Sequence, residues 1–435
     1  MPSAFSLLLR CGAALAAGLL LVMPARAQLR GLPVPNLPQL PTAVQAPVQR
    51  VLPALAPTNL LDLRRNLVDE LLQREPRRLE RDPQGHPIVR GEVVLSSPSV
   101  ALLEAAQAAG FQVAREERLA ALDTFVVVLR APAGVGTAAA LAMLRALDPQ
   151  AAEDFNHLYL PAGSVAGGSA PTSPSAISSS GPAAGPRVGL VDGGVDTRHV
   201  ALRDARIVSA GCERAAPADA HGTAVASLLV GHARGFGGAV PGATLYAADI
   251  YCGSPANGSL QSVLRALAWL AQEQVPVINL SLVGPPNRLL EQAVRTLQAR
   301  GHVLVAAVGN DGPAAPPLYP AAYAGVLGVT GVDAHQRVLP EAAQGPQVAL
   351  AAPGSEMAVA GADRPFGTAR GTSFAAPLVA GLLARRLRTL DPAAAERAVA
   401  ALSAEALDLG APGRDSVYGQ GLVAQDLRID PARLR

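Results

Sequence analysis

The sequence predicts an α/β protein: a parallel sheet flanked by helices over residues 187–435, preceded by a small α+β module of ferredoxin-like type. Three observations predict it. Short apolar strand candidates alternate with helical stretches from residue 187 onward. The order βαββαβ is legible over residues 91–161. A stretch of Gly, Ser, Ala and Pro at residues 162–186 separates the two. The chain has 435 residues, half of them apolar, enough for a sizeable core in more than one domain. Aromatics make up only 3%, so Ala, Val and Leu must fill most of that core.

The N-terminus has the form of a signal peptide over residues 1–27. Arg10 precedes an apolar run from Cys11 to Met23, too short for a comfortable membrane span. Ala25-Arg26-Ala27 fits a small-x-small cleavage site and leaves Gln28 as the new terminus. An uncleaved anchor is the competing reading. Export implies an oxidising compartment, periplasmic or extracellular. Cys11 would leave with the signal peptide, so Cys212 and Cys252 remain.

Residues 28–57 are Pro-rich and read as an extended linker. Residues 58–75 (TNLLDLRRNLVDELLQRE) carry Leu at helical spacing behind a candidate Asn59 cap. In the module that follows, GEVVLSS reads as a strand and SVALLEAAQAAG as a helix stopped by Gly110. FQVAREERL and DTFVVVLRA read as strands, TAAALAMLRAL as a helix and EDFNHLYLP as a final strand. Residues 162–186 are mostly Gly, Ser, Ala and Pro and cannot offset the cost of ordering by burial, so they are expected to be a flexible, cleavable linker. Beyond them, RVGLVDGGV, RIVSAG, TLYAADIY, PVINLSL, HVLVAAVG and GVLGVTGV are strand candidates. Helices are expected to begin near His221, Gly258, Asn287 and Thr372. Strands and helices in alternation mean a parallel sheet covered on both faces, with active groups at the C-terminal strand ends.

A net charge of +2 without basic runs argues against a nucleic-acid footprint. All 36 basic residues are Arg, which excludes a Ser–Lys dyad. Three segments bring a reactive side chain to an element end. Asp192 ends VGLV and is followed by Gly193-Gly194, which allow a sharp turn. His221 opens HGTAVASLLVG, and Ser373 lies in the first turn of GTSFAAPLVAGLLARRL. Taken singly, these are ordinary turn, surface and cap residues. Together with their surrounding sequence they are not.

VGLVDGGVD, HGTAVAS, AAVGND and GTSFAAPLVAG resemble the signature blocks of the subtilisin (subtilase, peptidase S8) family, in the family's order Asp, His, Asn, Ser. The resemblance covers about residues 187–425, including YGQGLV, and implies a subtilisin-like fold and a secreted serine endopeptidase. It implies that Ser373 is the nucleophile, His221 the general base and Asp192 the group that orients the imidazole. Asn310 matches the oxyanion-hole Asn, with help from the Ser373 backbone N–H. Ser281-Leu282-Val283, continued by Gly284, resembles the strand that pairs with extended substrate. Val283 stands where the family usually has Gly, and Leu318, ahead of Tyr319-Pro320-Ala321, stands near the floor of the pocket for the residue preceding the cut. Both add volume, so a small or medium apolar residue is expected there. Leu282, Gly284, Leu318 and Ala321 complete the expected substrate-binding set.

The chain also departs from the family. Gly193 replaces the usual Ser or Thr and loses a side-chain hydrogen bond to the catalytic carboxylate. Ala201 stands where many subtilisins place a calcium ligand, and the loop GHARGFGGAVPG lacks the usual Asn. That calcium site is therefore expected to be missing, and no metal or cofactor is expected. By its topology, the module over 58–161 resembles the family's pro-domain, an intramolecular chaperone and inhibitor whose last strand leads toward the cleft. The resemblance further implies that RIVSAG and TLYAADIY are neighbouring parallel strands. Cys212 and Cys252 would then lie side by side at their ends and form a disulfide. The expected partners are polypeptide substrates and the chain's own pro-domain, without nucleic acid, a stable membrane anchor or an oligomer.

Three other readings compete. A catalytically silent binding or scaffold protein would keep the fold and lose a triad member, yet all are present. A lipase or esterase would show G-x-S-x-G and the order Ser, Asp, His, which this chain does not. An enzyme acting only on its own pro-region stays open.

Overall fold

The computed structural model describes residues 57–162, 164–166, 185–212, 216–362 and 364–434. The stretches expected to be a signal peptide and, up to residue 56, a first linker lie outside the described residues, as does most of the second expected linker.

The Leu spacing of the first helical stretch is realised as α1 (Pro57–Arg74). Then come β1 (Leu79–Arg81), β2 (Pro87–Ser96), α2 (Val100–Ala108), β3 (Gln112–Leu119), β4 (Thr124–Arg130), α3 (Thr137–Leu147) and β5 (Ala152–His157). Ser99 caps α2 by accepting the Leu102 N–H at 3.1 Å, and Gly110, at φ +93°, ends that segment. The strands are antiparallel, in the order β1-β2-β4-β3, with β5 on the edge of β2 away from β4. Taken from β2, the four long strands stand fourth, first, third, second. One face of this sheet packs Val93, Leu95, Val127 and Leu129 against Leu102, Ala106, Leu141 and Leu144 of its own helices. The other face sends Val94, Val126 and Val128 into a core shared with two helices of the larger layer.

The expected strand EDFNHLYLP ends early. β5 stops at His157 because the backbone then leaves the small sheet: the Tyr159 N–H donates to Gly258 O at 2.7 Å. The chain continues as β6 (Leu160–Pro161) and β7 (Ser164–Ala166). Both Ala162 and β7 fall within the stretch expected to be a flexible linker. Composition gave no sign of this, because β7 is ordered through backbone pairing to a strand about 200 residues downstream.

The larger layer runs through β8 (Arg187–Asp192), β9 (Arg206–Ala210), α4 (Ala220–Val230), a small hairpin β10 (His232–Ala233) and β11 (Phe236–Gly237), and β12 (Thr244–Asp249). It continues through α5 (Leu260–Gln272), β13 (Val277–Leu280), β14 (Leu282–Val283), α6 (Arg288–Ala299), β15 (Val303–Ala307), β16 (Leu327–Val332) and β17 (Val348–Pro353). The hairpin β18 (Met357–Ala360) and β19 (Phe366–Arg370), then α7 (Thr372–Arg386) and α8 (Pro392–Ala404), follow. Seven strands form one parallel sheet in the order β17-β16-β15-β13-β8-β12-β9. Side chains alternate along each strand. Leu190 and Val305 pack with α4 and α7, whereas Val191, Leu304 and Ala306 pack with α5 and α6. The chain crosses from β12 to β13 on opposite sides of β8, the switch point at which α/β sheets place ligands. Asp192 ends β8 there, Ser281 follows β13, and Asn310 follows β15.

Strands β9 and β12 are neighbours in register, and Cys212 and Cys252 beyond their ends are disulfide-bonded with Cα atoms 5.6 Å apart. The bond closes a 40-residue loop that contains His221, for which chain entropy gives a stabilisation of about 4 kcal/mol. Thiol titration of denatured, unreduced mature protein should find no free thiol, and two after reduction. Two free thiols before reduction, in material exported to an oxidising compartment, would show that the bond does not form there.

At the position where the calcium ligand was expected to be lost, Ala201 is buried in an apolar cluster with Phe236 and Ala358. Its carbonyl accepts the His232 N–H at 2.8 Å. The loop is thus braced by packing and a backbone bond.

Candidate active site

Asp192, His221 and Ser373 come from three elements and meet at the C-terminal edge of the sheet. Asp219 caps α4, accepting the Gly222 N–H at 2.9 Å, and so sets His221 in the first turn. His221 Nδ1 lies 2.9 Å from Asp192 Oδ1, and its Nε2 lies 2.9 Å from Ser373 Oγ. An ionised Asp192 accepts from Nδ1–H, which leaves the Nε2 lone pair facing the serine hydroxyl. All three side chains are buried. Burial works against the imidazolium, but the charge of Asp192 and its hydrogen bond outweigh it and hold the His221 pKa above the ordinary value.

The Gly193 N–H donates to Asp192 Oδ1 at 2.6 Å, while buried Oδ2 has no hydrogen-bond partner among the described residues. A Cβ at residue 193 would sit 2.6 Å from that of Asp219. Glycine is therefore required by the capping aspartate. The sequence reading saw the lost hydrogen bond but missed Asp219, whose only sign is its place two residues before His221.

Ser373 lies in the first turn of α7, where its N–H has no intrahelical acceptor. Its carbonyl is freed as well. In a regular helix that oxygen would accept the N–H of residue 377, but Pro377 has none. Ser281 Oγ donates to it instead at 3.1 Å, and Ser281 Oγ in turn accepts from Asn279 Nδ2 at 2.8 Å. Asn279 is thus a positioning residue. It lies mid-strand on β13 amid apolar residues, as a buried polar side chain that the sequence reading passed over.

Asn310 is oriented from the same helix. The Thr372 N–H donates to Asn310 Oδ1 at 3.0 Å, and the Gly309 N–H donates to Thr372 Oγ1 at 3.2 Å. The Nδ2 donor is left pointing into the cleft, where it meets the carbonyl oxygen of Ala162. Asn310→Ala is expected to lower kcat about 10²–10³-fold with KM little changed, since this donor acts on charge that develops only in the transition state. An unchanged kcat would remove Asn310 from the reaction.

The cleft is occupied by the chain itself. β6 pairs antiparallel with β14, with Leu282 opposite Pro161 and Val283 opposite Leu160. The Ala162 N–H donates to Ser281 O at 3.2 Å. Val283 and Leu318 share a buried cluster with Ala162. Leu318 presses on Gly309, where a Cβ would lie 2.6 Å from Leu318 Cδ1 and 3.6 Å from Val283 Cγ1. Leu282 and Ala321 are also buried, but in the cluster that holds Tyr159, away from Ala162. Gly284 exchanges backbone hydrogen bonds with Tyr319, at 2.8 and 3.0 Å.

Among the described residues, two groups of side chains could approach a metal ion: Cys212, Asp249 and Cys252, and Asp192, Asp219 and His221. In the first, both thiols are spent in the disulfide. In the second, Asp192 and His221 are bonded to each other and Asp219 to α4.

The subtilase family, described as Peptidase S8, matches residues 183–421. Minor extracellular protease Epr of Bacillus subtilis is 32% identical over 207 residues, 47% of this chain and 32% of that protein. Subtilisin DY of Bacillus licheniformis is 32% identical over 247 residues, 54% of this chain and 88% of that protein. Fervidolysin of Fervidobacterium pennivorans, described as a keratinolytic enzyme related to subtilisin, superposes with a TM-score of 0.63. That alignment has 20% identity and covers 78% of this chain and 61% of that one, a likeness of fold.

Proposed function

The chain belongs to the subtilase family, and we propose that it is a secreted serine endopeptidase that cuts peptide bonds through Asp192, His221 and Ser373 and processes its own pro-region. The observation that carries the proposal is the relay itself: Ser373 Oγ and His221 Nε2 stand at hydrogen-bond distance beside a peptide carbonyl held by Asn310.

Ser373 Oγ attacks the carbonyl carbon while His221 Nε2 takes its proton. Asp192 stabilises the resulting imidazolium, and Asn310 Nδ2 with the Ser373 N–H stabilises the oxyanion. His221 then protonates the leaving amine, and water resolves the acyl-enzyme in the same way. No cofactor or metal takes part in these steps.

The module over residues 58–161 serves as the pro-domain, chaperone and inhibitor of the same chain. Two side chains on β5 support this. Asp154 accepts the Arg288 N–H at the start of α6 at 3.0 Å, and Asn156 accepts the Gln261 N–H at the start of α5 at 3.4 Å. One strand thus satisfies donors at the N-termini of both helices. No described helix is long and apolar enough to cross a membrane. Export follows from the leader sequence, and the mature enzyme acts as a monomer on polypeptides, outside the cytoplasm.

Expression of wild type and Ser373→Ala side by side tests this reading. Wild type should mature and hydrolyse a protein substrate such as casein. Ser373→Ala should accumulate as a precursor lacking only the leader. Maturation of that variant in a protease-free host would defeat self-processing.

Val283 and Leu318 also set selectivity. Peptides with small or medium apolar residues before the cut should be preferred over those with Tyr or Trp, in a graded way. A methylene changes binding in such a pocket by about 1–3 kcal/mol. A peptide library cut best after large aromatics or Arg would contradict this.

A further inference from the structure

We propose that the cleft between the small antiparallel sheet and α5 is a binding site for a multivalent oxyanion, a molecule carrying two or more phosphate or sulfate groups. The site lies apart from the reaction centre: none of Asp192, His221, Asn310 and Ser373 lines it. Its test is independent of the peptidase reading.

The cleft arises because one face of the small sheet changes character along its strands. Val94, Val126 and Val128 press into the core shared with α5 and α6. Farther along the same face, Glu92 stands opposite Arg130, and Arg115 stands opposite Val128. Charged side chains cannot continue an apolar contact without losing their hydration, and here the two layers part. The gap has a volume of about 1020 Å³, at the upper end of small-molecule sites. Its far wall is formed by the ends of β9 and β12, with the Cys212–Cys252 disulfide, and by Gln261, Arg265 and Trp269 of α5.

Six arginines line this cleft: Arg77, Arg78, Arg90, Arg115 and Arg130 from the small module, and Arg265 from α5. Among the described residues, the acids beside them are Glu92, Glu117 and Asp249. Four of the six guanidiniums are engaged. Arg115 meets Glu92 at 2.5 Å and donates to Gln261 Oε1 at 2.7 Å. Arg265 pairs with Glu117, and Arg90 with Glu80 at 2.7 Å. Arg78 donates to Asn257 Oδ1 at 3.0 Å. Asp249 Oδ1 accepts the N–H groups of Tyr251 and Cys252, at 2.9 and 2.8 Å.

The guanidiniums of Arg77 and Arg130 have no partner among the described residues. Glu92 faces Arg130 across the strands but does not serve it. Its Oε2 is shared by Arg115 and by Asn156 Nδ2, the latter at 2.8 Å. Arg77 lies in the turn between α1 and β1, and Arg130 ends β4. Two unmatched cations on different elements call for a ligand with more than one anionic group. Guanidinium forks match tetrahedral oxyanions with paired hydrogen bonds. A cleft between low-dielectric walls also focuses the positive field on its contents. With arginines on both sides, a bound anion bridges the small module to α5.

The test is a calorimetric titration of the full chain carrying Ser373→Ala, at physiological ionic strength, with tripolyphosphate, sucrose octasulfate and orthophosphate. Saturable binding of at least one of the two large anions is expected, about tenfold tighter than orthophosphate, because only they reach both guanidiniums. The tighter of the two tells phosphate from sulfate chemistry. Arg77→Gln and Arg130→Gln should each weaken binding about tenfold. Arg295→Gln, at an exposed ion pair of α6, should leave it unchanged. Should either cleft variant fail to fold, phenylglyoxal labelling of the chain with all its arginines decides, since a saturating anion should protect Arg77 and Arg130. Absence of saturable binding by both large anions, binding that both cleft variants leave intact, or labelling that the anion does not change would overturn the site. None of these results bears on Ser373.

Discussion

Ser373→Ala should reduce kcat by about 10⁶-fold, the scale of the loss measured when a subtilisin loses its serine. His221→Ala should cost about as much. The double variant should be no worse than either, because the hydroxyl and the imidazole 2.9 Å away act as one unit. Traces of wild type can be silenced with a fluorophosphonate, to which Ser373→Ala is blind. What remains should be the slow hydrolysis that Asn310 and substrate binding alone support. Additive losses, or a Ser373→Ala enzyme within tenfold of wild type, would mean that another group attacks the substrate.

Asp192→Asn should lower kcat by about 10⁴-fold, because an amide can donate to Nδ1 and stabilise the wrong imidazole tautomer. It should also move the acid limb of kcat/KM. In the wild type, burial pushes the His221 pKa down and Asp192 more than restores it, to above the ordinary value of 6.5. Activity needs neutral His221, so it is lost as pH falls through that raised value. With the charge at 192 removed, burial is opposed only by the charge of Asp219, and the limb should shift to lower pH. An unchanged limb would show that Asp192 does not set the protonation of His221.

Much of this site could be read from sequence, for a physical reason. Each triad member sits where a regular element starts or stops, and such places carry recognisable local signals: Gly193-Gly194 after a strand, Gly222 and Gly371 beside helix starts. Six of the seven parallel strands were legible because β-branched and apolar runs mark them. β17 was missed because it reads Val-Ala-Leu-Ala-Ala-Pro, too rich in Ala to separate from a helix or loop. The hairpin of β18 and β19, and helix α8, were passed over.

Residues that work through tertiary contact left little trace. Asn279 acts on Ser281 and through it on Ser373, a chain that exists only once β13 lies beside α7. Asp219 explains Gly193 only when α4 is docked against the end of β8. The tail from Leu158 to Ala166 was divided between a strand and a linker because its order is borrowed from β14 and β19. Composition reports what a segment can bury, and says nothing of edges it can join.

The most direct test is to locate the adduct formed when mature enzyme is treated with a fluorophosphonate. One adduct per molecule is expected, on the peptide that contains Gly371-Thr372-Ser373. The uncut precursor should label far more slowly, because Ala162 fills the site. Absence of a stoichiometric adduct in folded mature protein, or an adduct on a different residue, would contradict the assignment of Ser373 as the nucleophile.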